Sequence, residues 1–497
     1  MRQGPLAGRY PAVASMVVFA LVPYLALSGA LGAITPAIGA DLNASPQTMA
    51  IGFGLANAAY AVGTVLAVQL AQILPQRRMM VVYATFLVIA SVVTASAQDS
   101  TMFIVGRVVQ GLCTSLLLIS AAPPLFLGFP RSKLRSTAVI MNMCIFGAVA
   151  LGPLIGGVQA SANAWRPLFW VVAGISLAAL ALSLLTFEDA PPADPTAPKD
   201  PLAIVLAAVG AASAFFGASM LLTHRFLAPE AIIPLIGGLA IIVILIVNQC
   251  IKRYPLLTIK SMLTSTIPVA GIVIALFAAA ASVSATDLTV SELAPHYSPL
   301  HLGLLYLPEF AGAVITAVVL GALLTHKGIH YLPLVGMGFL AAGILAFRIE
   351  TPPTQALTLI GSGLTGIGVG ATVAPALFVA GFSLPSANLQ RVFAIVELLR
   401  AVAAFMIAPV FAHFAATVAG GGDAGVGVAL WIGAGLAVAG GVIAVSLYIL
   451  GNARPQAADL DRFLAGEAPA WYSPPLLAGV RNRVKSRRPM VEEGARP

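Results

Sequence analysis

Fourteen stretches of this chain, each about as long as a bilayer is thick, run with almost no charge. They fall near residues 12–36, 48–72, 79–97, 101–123, 136–160, 165–187, 202–223, 230–250, 266–291, 300–325, 330–348, 355–381, 389–416 and 425–450. A helix needs roughly 20 apolar residues to cross the hydrocarbon core, so each stretch is a candidate transmembrane helix. Of the 497 residues, 59% are hydrophobic and 9% charged, whereas soluble domains carry about 25% charged residues. No soluble fold hides that much apolar surface. A transmembrane β-barrel is excluded too, because barrel strands show alternating segments of about ten residues rather than solid runs. The expected class is an all-α integral membrane protein. The first run starts at Pro11 and exceeds a signal-peptide core, so it reads as an uncleaved span.

Charge placement tests the span count. With fourteen spans and both ends cytoplasmic, only Arg166, Arg225 and Arg348 fall at the opposite face, and Arg107 and Arg400 lie inside spans; the other 21 of the 26 Lys and Arg are cytoplasmic. That asymmetry is what the positive-inside rule requires, and removing any one span scrambles it. The net charge of +8 therefore orients the chain against anionic lipid and does not indicate nucleic acid. Cys113, Cys144 and Cys250 all sit in apolar runs and read as small buried hydrophobes.

The chain divides into a six-helix block (1–187), a linker with two extra spans (188–264), a second six-helix block (265–450) and a polar, Pro-rich tail (451–497) expected to be cytoplasmic and disordered. The loop after the second helix is similar in the two blocks: QLAQILPQRR from Gln69 to Arg78, and ALLTHKGIHY from Ala322 to Tyr331. Such internal duplication is common in secondary transporters.

Two motifs stand out. In the fifth span, Gly147, Gly152, Gly156 and Gly157 place small residues on nearly one face, with Pro153 able to kink the helix; by physics alone this is either a packing face or a conformational element. In the fourth, Arg107 lies roughly 9 Å deep at 1.5 Å per residue, with Gln110 one turn on. A cation at depth is costly unless it is paired, snorkels or faces water.

These residues resemble the major facilitator superfamily, in its fourteen-helix drug:proton antiporter branch. Gly147, Gly152, Pro153, Gly156 and Gly157 match that family's fifth-helix motif, and Arg107, Gln110 and Gly111 its fourth-helix motif. Trp165 and Arg166 resemble the pair that opens its sixth helix, and Ser298, Pro299, Gly303 and Pro308 a run that opens its tenth. Leu70, Arg77 and Arg78 are what remains of its basic loop motif, in which Gln72 and Pro75 replace the usual Asp and Gly. Leu27 stands where the first helix usually carries an acid. The resemblance implies two six-helix blocks plus two central helices, and export of amphipathic drug-like or natural-product molecules by proton antiport with alternating access. The missing acids leave an uncoupled facilitator or uptake carrier as an alternative; a non-transporting scaffold or sensor is a third reading.

With Leu27 apolar, the proton-coupling candidates are Glu309, Glu397, Arg107, Arg400, Asp287 and Glu292. Glu309 lies roughly 13 Å deep with no cation nearby on its own helix. Glu397 precedes Arg400 by three residues, a spacing suited to an ion pair. Asp287 and Glu292 fall near a helix end, where exposure is the plain alternative. Tyr24, Asn57, Tyr60, Gln110, Asn142, Tyr306 and Trp431 are candidate cavity residues, since a drug site combines apolar walls with a few polar points. The sequence holds no P-loop, no H-E-x-x-H and no G-x-S-x-G, so an enzyme is not expected, nor a cofactor or metal. The expected partners are a small-molecule substrate, protons and membrane lipid; a periplasmic adaptor is left open.

Overall fold

A computed structural model describes residues 4–187 and 198–480. Most of the Pro/Asp-rich linker and the tail from Arg481 onward, with six of the cations counted above, lie outside the described residues. Fourteen helices are long and apolar enough to cross a membrane. They are α1 (Tyr10–Asp41), α2 (Pro46–Ile73), α3 (Gln76–Ala95), α4 (Ser100–Leu127), α5 (Arg131–Ser161), α6 (Arg166–Thr186) and α7 (Pro201–Met220). Then come α8 (Pro229–Ile251), α9 (Thr266–Leu293), α10 (Pro299–Leu323), α11 (Leu332–Ile349), α12 (Gln355–Phe382), α13 (Ser386–Gly420) and α14 (Gly422–Gly451). Every expected span is present. Several begin where local chemistry satisfies free N–H groups: Ser45 and Asp99 accept from Thr48 N and Met102 N at 3.1 and 2.8 Å, and proline opens α2, α7, α8 and α10.

In the first block α2 packs on α4, α3 on α4 and α6, and α1 on α5 and α6. In the second, α12 packs on α9, α10 and α11, and α14 on α9 and α11. The extra helices α7 and α8 pack on each other, and α7 lies against α2. Their ends on the face that carries the basic loops converge on Asp200. Its carboxylate takes Lys252 Nζ and Gln249 Nε2 at 2.8 Å each, while its own N–H donates to Gln69 Oε1 at 2.7 Å. Burial alone would raise the Asp200 pKa, but Lys252, Gln249 and the Ala203 N–H outweigh it and hold the carboxyl below its ordinary value.

The blocks meet along two seams. Helices α5 and α10 touch in both their halves. Helices α2 and α13 meet where Leu389–Ala401 of α13 lies against α2, toward the basic face. Within α5 the ladder changes to a π turn over Met143–Gly147, and within α13 over Val402–Met406. These helices hold the fifth place in their respective blocks, so the duplication extends to a local irregularity.

The fifth-helix glycines do not share one face. A Cβ on Gly152 would lie 2.4 Å from Gly29 Cα in α1, inside the first block, whereas one on Gly157 would lie 2.3 Å from the Pro299 carbonyl oxygen in α10, across the seam. The tail also departs from expectation. Over residues 452–480 it folds against the basic face of the second block, with a short helix at Leu460–Leu464. Trp471 is buried, donates from Nε1 to the Val379 carbonyl at 3.2 Å and lies against His330 and Phe382. Phe463 packs on Phe382, and Ala470 N donates to the Phe382 carbonyl at 2.8 Å.

Candidate functional site between the two blocks

Arg107 is 2% exposed, deep in α4. Its guanidinium donates to Gln110 Oε1 at 2.9 Å and stands 4.6 Å from the centre of the Tyr24 ring, a cation–π contact. Gln110 in turn donates to Ser91 Oγ at 2.9 Å. No carboxylate pairs with Arg107 among the described residues, and Leu27 lies buried in a separate apolar cluster. The charge is met by an aromatic face and an amide.

Tyr24 stacks on Tyr60, with ring centres 6.0 Å apart and planes 5° from parallel. The Tyr60 hydroxyl then crosses to the second block: it donates to Glu397 Oε2 at 3.3 Å and accepts from Arg400 at 3.4 Å. Glu397 and Arg400 are themselves paired at 2.7 and 2.9 Å and almost wholly buried. A continuous polar and aromatic path therefore runs from α4 through α1 and α2 into α13. The i,i+3 pair was legible in the sequence; the tyrosine bridge to it was not.

The remaining acids lie together elsewhere in the second block. Asp287 is exposed, Glu309 half-buried, and the two are within Coulombic reach of one another and of the Tyr306 hydroxyl. Tyr306 is buried and shares a hydrogen bond with the Thr289 hydroxyl. Glu309 Oε2 and both carboxylate oxygens of Glu292 are buried without a hydrogen-bond partner. Asp423 is within Coulombic reach of Glu292.

A cavity of about 390 Å³ lies between the blocks, in the half of the molecule away from the basic face. Its walls come from α2 (Ala50, Phe53, Gly54, Asn57), α7 with the turn after it (Phe215, Ala218, Ser219, Leu221, Leu222) and α13 (Phe405, Pro409, Ala412, His413, Ala416). Toward the basic face the same seam is closed. Phe126 of α4 meets Phe378, Phe382 and Phe393 edge-on at 5.2 to 6.1 Å, and Gln390 Nε2 donates to the Ile119 carbonyl at 3.2 Å. Arg131 pairs with Asp461 of the tail at 2.5 Å over this closure.

Of the seven candidate cavity residues, Asn57 lines this space. Tyr24, Tyr60 and Gln110 belong to the buried path beside it. Asn142 bridges the blocks by donating to the Gly370 carbonyl at 3.2 Å, and Tyr306 sits within the second block. Trp431 is 56% exposed on α14 and faces away from the interior. Arg77 donates to the Leu184 carbonyl at 3.3 Å, tying α3 to the end of α6, and Arg78 is exposed. Trp165 and Arg166 both donate to Asp41 at the face opposite the basic loops.

The Major Facilitator Superfamily profile matches residues 16–347. A "Multidrug resistance protein B homolog" of Mycobacterium tuberculosis (strain ATCC 25618 / H37Rv) is 27% identical over 295 residues, 58% of this chain and 54% of the relative. "Multidrug resistance protein MdtL" of Escherichia coli O139:H28 (strain E24377A / ETEC) is 30% identical over 166 residues, 33% of this chain and 42% of the relative. The chain thus matches about half the length of these relatives. Among solved structures, the crystal structure of the human organic anion transporter MFSD10 (TETRAN) aligns with 88% of this chain and 99% of its own. The TM-score is 0.60 at 14% identity, a likeness of fold.

Proposed function

The chain belongs to the Major Facilitator Superfamily, and on that premise we propose that it exports drug-like or natural-product small molecules by proton antiport. The observation that carries this reading is the cavity between the two blocks, closed toward the basic face by the Phe126 cluster and bounded by a buried polar path that joins α4 to α13. In this reading the basic face is cytoplasmic and the membrane is the cell's inner or plasma membrane. The present conformation is then closed to the cytoplasm. A transporter alternates this arrangement with its inverse, rocking one block against the other.

The proton sites are assigned to Glu309 and its neighbour Asp287. A carboxylate taken from water without a compensating partner favours its neutral form, and a nearby second acid adds to the effect. Glu309 combines a buried, unpartnered oxygen with Asp287 nearby, and it is the carboxyl to which the reading gives the transported proton. Glu397, by contrast, is held by Arg400 and serves as the anchor for Tyr60. The relatives' names supply the class of cargo, multidrug resistance; they are names of those proteins and enter here as support only.

The test is proton-coupled flux in everted membrane vesicles. With an imposed pH gradient, addition of an exported drug releases protons and restores the fluorescence of a quenched acridine dye. Wild type is expected to respond, and Glu309→Gln to lose the response while still exchanging labelled drug for unlabelled drug. A wild-type flux indifferent to a protonophore refutes antiport and favours the facilitator reading that Leu27 motivates. A protonophore-sensitive flux that survives Glu309→Gln moves the proton site to another acid.

A further inference from the structure

The cavity has an unusual lining for a chain whose spans hold several acids. Among the described residues that form its walls there is no Asp, Glu, Lys or Arg. The walls are aromatic and aliphatic, and the polar points are few. Asn57 has its Oδ1 turned to the Tyr24 hydroxyl at 3.5 Å, which leaves its amide N–H₂ as a donor. His413 Nδ1 lies 2.9 Å from the Leu221 carbonyl; a carbonyl can only accept, so in the neutral ring the proton sits on Nδ1 and Nε2 is left as an acceptor. Ser219 Oγ is already committed to the Phe215 and Ala50 carbonyls at 2.8 and 3.1 Å.

Charge recognition in a low-dielectric site needs an opposing charge, because desolvating an ion without one costs several kcal/mol. Glu397 and Arg400, on the same helix as Phe405 of the lining, neutralise each other at 2.7 Å and so offer no net field for an ion. A neutral molecule meets no such penalty. The volume of about 390 Å³ falls toward the small end of drug-sized pockets, which run to roughly 300–1,000 Å³.

One full wall comes from α7, the first of the two extra helices. It reaches the cavity because α7 lies flush on α2. A Cβ on Gly54 would stand 2.4 Å from Ser219 Oγ and 3.2 Å from the Phe215 carbonyl oxygen, so glycine there lets the two helices approach closely. The His413–Leu221 hydrogen bond then ties the end of α7 to α13. The extra helix is thereby built into the seam between the blocks and is more than a spacer joining them.

We propose that this space is a binding site for a neutral, predominantly apolar small molecule carrying one hydrogen-bond donor and one acceptor, and that α7 is a wall of that site which sets its charge preference. The proposal rests on the transporter reading for its biological purpose, but binding is measured without flux. The probes are tritiated testosterone, which is neutral with one hydroxyl donor and one ketone acceptor, and tritiated tetraphenylphosphonium, a permanent cation. Both are titrated onto the purified full chain in scintillation-proximity format. Wild type is expected to bind testosterone saturably and at least tenfold tighter than the cation. Ala412→Trp, at an exposed lining position, should weaken testosterone binding at least tenfold. Leu222→Glu, on the α7 side and also exposed, should shift the ratio of the two affinities toward the cation by at least tenfold. Both variants should keep the wild-type melting temperature, since neither replaced side chain is buried.

Tighter binding of the cation by wild type overturns the charge assignment. Unchanged testosterone binding in Ala412→Trp, or none in wild type, overturns the site. An unmoved ratio in Leu222→Glu overturns the role of α7. If binding behaves as expected but no proton-coupled flux follows, the transport reading fails and the site stands.

Discussion

The pair at the centre of the polar path makes a quantitative demand. Glu397 and Arg400 approach to 2.7 Å and have side chains 2% and 5% exposed. At an effective dielectric constant of ~20 the attraction between unit charges at that distance is about 6 kcal/mol. Most of that offsets the desolvation of two ions, so the pair as a whole contributes little net stability. Removing one member is a different matter. Glu397→Gln keeps the shape and one acceptor oxygen but removes the opposing charge, leaving the buried Arg400 guanidinium with neutral partners, the amide oxygen, the Tyr60 hydroxyl and the Phe146 face 5.9 Å away, and should cost about 3–5 kcal/mol. Adding Arg400→Met removes the stranded charge and should recover most of the loss. The assay is unfolding in mixed micelles by titrated sodium dodecyl sulfate, monitored by circular dichroism, for wild type, both single variants and the double variant. The expected order is wild type near the double variant, with each single variant well below. If Glu397→Gln alone is as stable as the double variant, the guanidinium is not stranded and the described burial of the pair is refuted.

Two further predictions concern the seams. Gly157→Ala drives a methyl group to 2.3 Å from the Pro299 carbonyl, whereas nothing lies within 4 Å of a Cβ on Gly174; the first should lower stability by about 1–3 kcal/mol and reduce transport, and Gly174→Ala should do neither, read by melting temperature and flux. The tail should undock in mild acid. His330 is buried against Trp471 and Tyr448, and burial, only partly offset by the Gln456 hydrogen bond, lowers its pKa to about 4. A freed histidine titrates near ~6.5, so the released state binds more protons between those values. Docking is therefore fully favoured above ~6.5 and weakens as pH falls toward 4, by about 2 kcal/mol at pH 5. Hydrogen exchange of tail amides, corrected for the intrinsic pH effect, should accelerate about thirtyfold between pH 8 and pH 5. His330→Phe should abolish that dependence, and equal acceleration in the variant would refute it.

What the sequence disclosed and what it hid divide along a physical line. Span number was legible because hydrophobicity and charge position are one-dimensional properties, and each of the fourteen runs is long enough to register alone. Which way a side chain faces was not. In a bilayer, lipid and protein interior are equally apolar, so Trp431 reads the same whether it lines a cavity or meets lipid. Helix α14 buries Gly425, Ala429, Gly433, Ala437 and Gly440, a stripe of small residues that leaves the large one outside. Helix α5 behaves in the same way: Gly152 and Gly157 read as one stripe, yet they serve contacts with α1 and α10 respectively. The tail misled for another reason. Its composition is polar and Pro-rich, but Phe463 and Trp471 dock into sites formed by Phe382 and His330, far away in sequence. Asp200 was similarly hidden, one acid in an acidic linker whose partners come from two other places, Gln69 of α2 and Gln249 with Lys252 at the end of α8.

The arrangement of charge bears directly on how the blocks can part. Glu397 and Arg400 belong to one helix, so separating α2 from α13 leaves the ion pair intact and breaks the two long hydrogen bonds of the Tyr60 hydroxyl, at 3.3 and 3.4 Å, and the edge contact of Tyr60 with Phe405. Arg107, Gln110 and Tyr24 likewise all stay with the first block. Arg400 also stands 5.9 Å from the centre of the Phe146 ring in α5. Further contacts across the seams include the Phe126 cluster, Gln390 to Ile119, Asn142 to Gly370, Leu300 N to Ser161 Oγ, and Arg131 to Asp461, whose side chains are 49% and 67% exposed. An exposed pair contributes about 0–1 kcal/mol, and a neutral hydrogen bond about 0.5–1.5 kcal/mol net. Had the buried pair spanned the seam, each opening would strand two desolvated charges at several kcal/mol apiece. With both charges kept on α13, parting the blocks exposes a tyrosine hydroxyl, an amide and aromatic edges and strands no ion, a small difference of the kind the proposed antiport requires. The absent first-helix acid fits the same logic: Arg107 rests on an aromatic face inside its own block and needs no partner that moves.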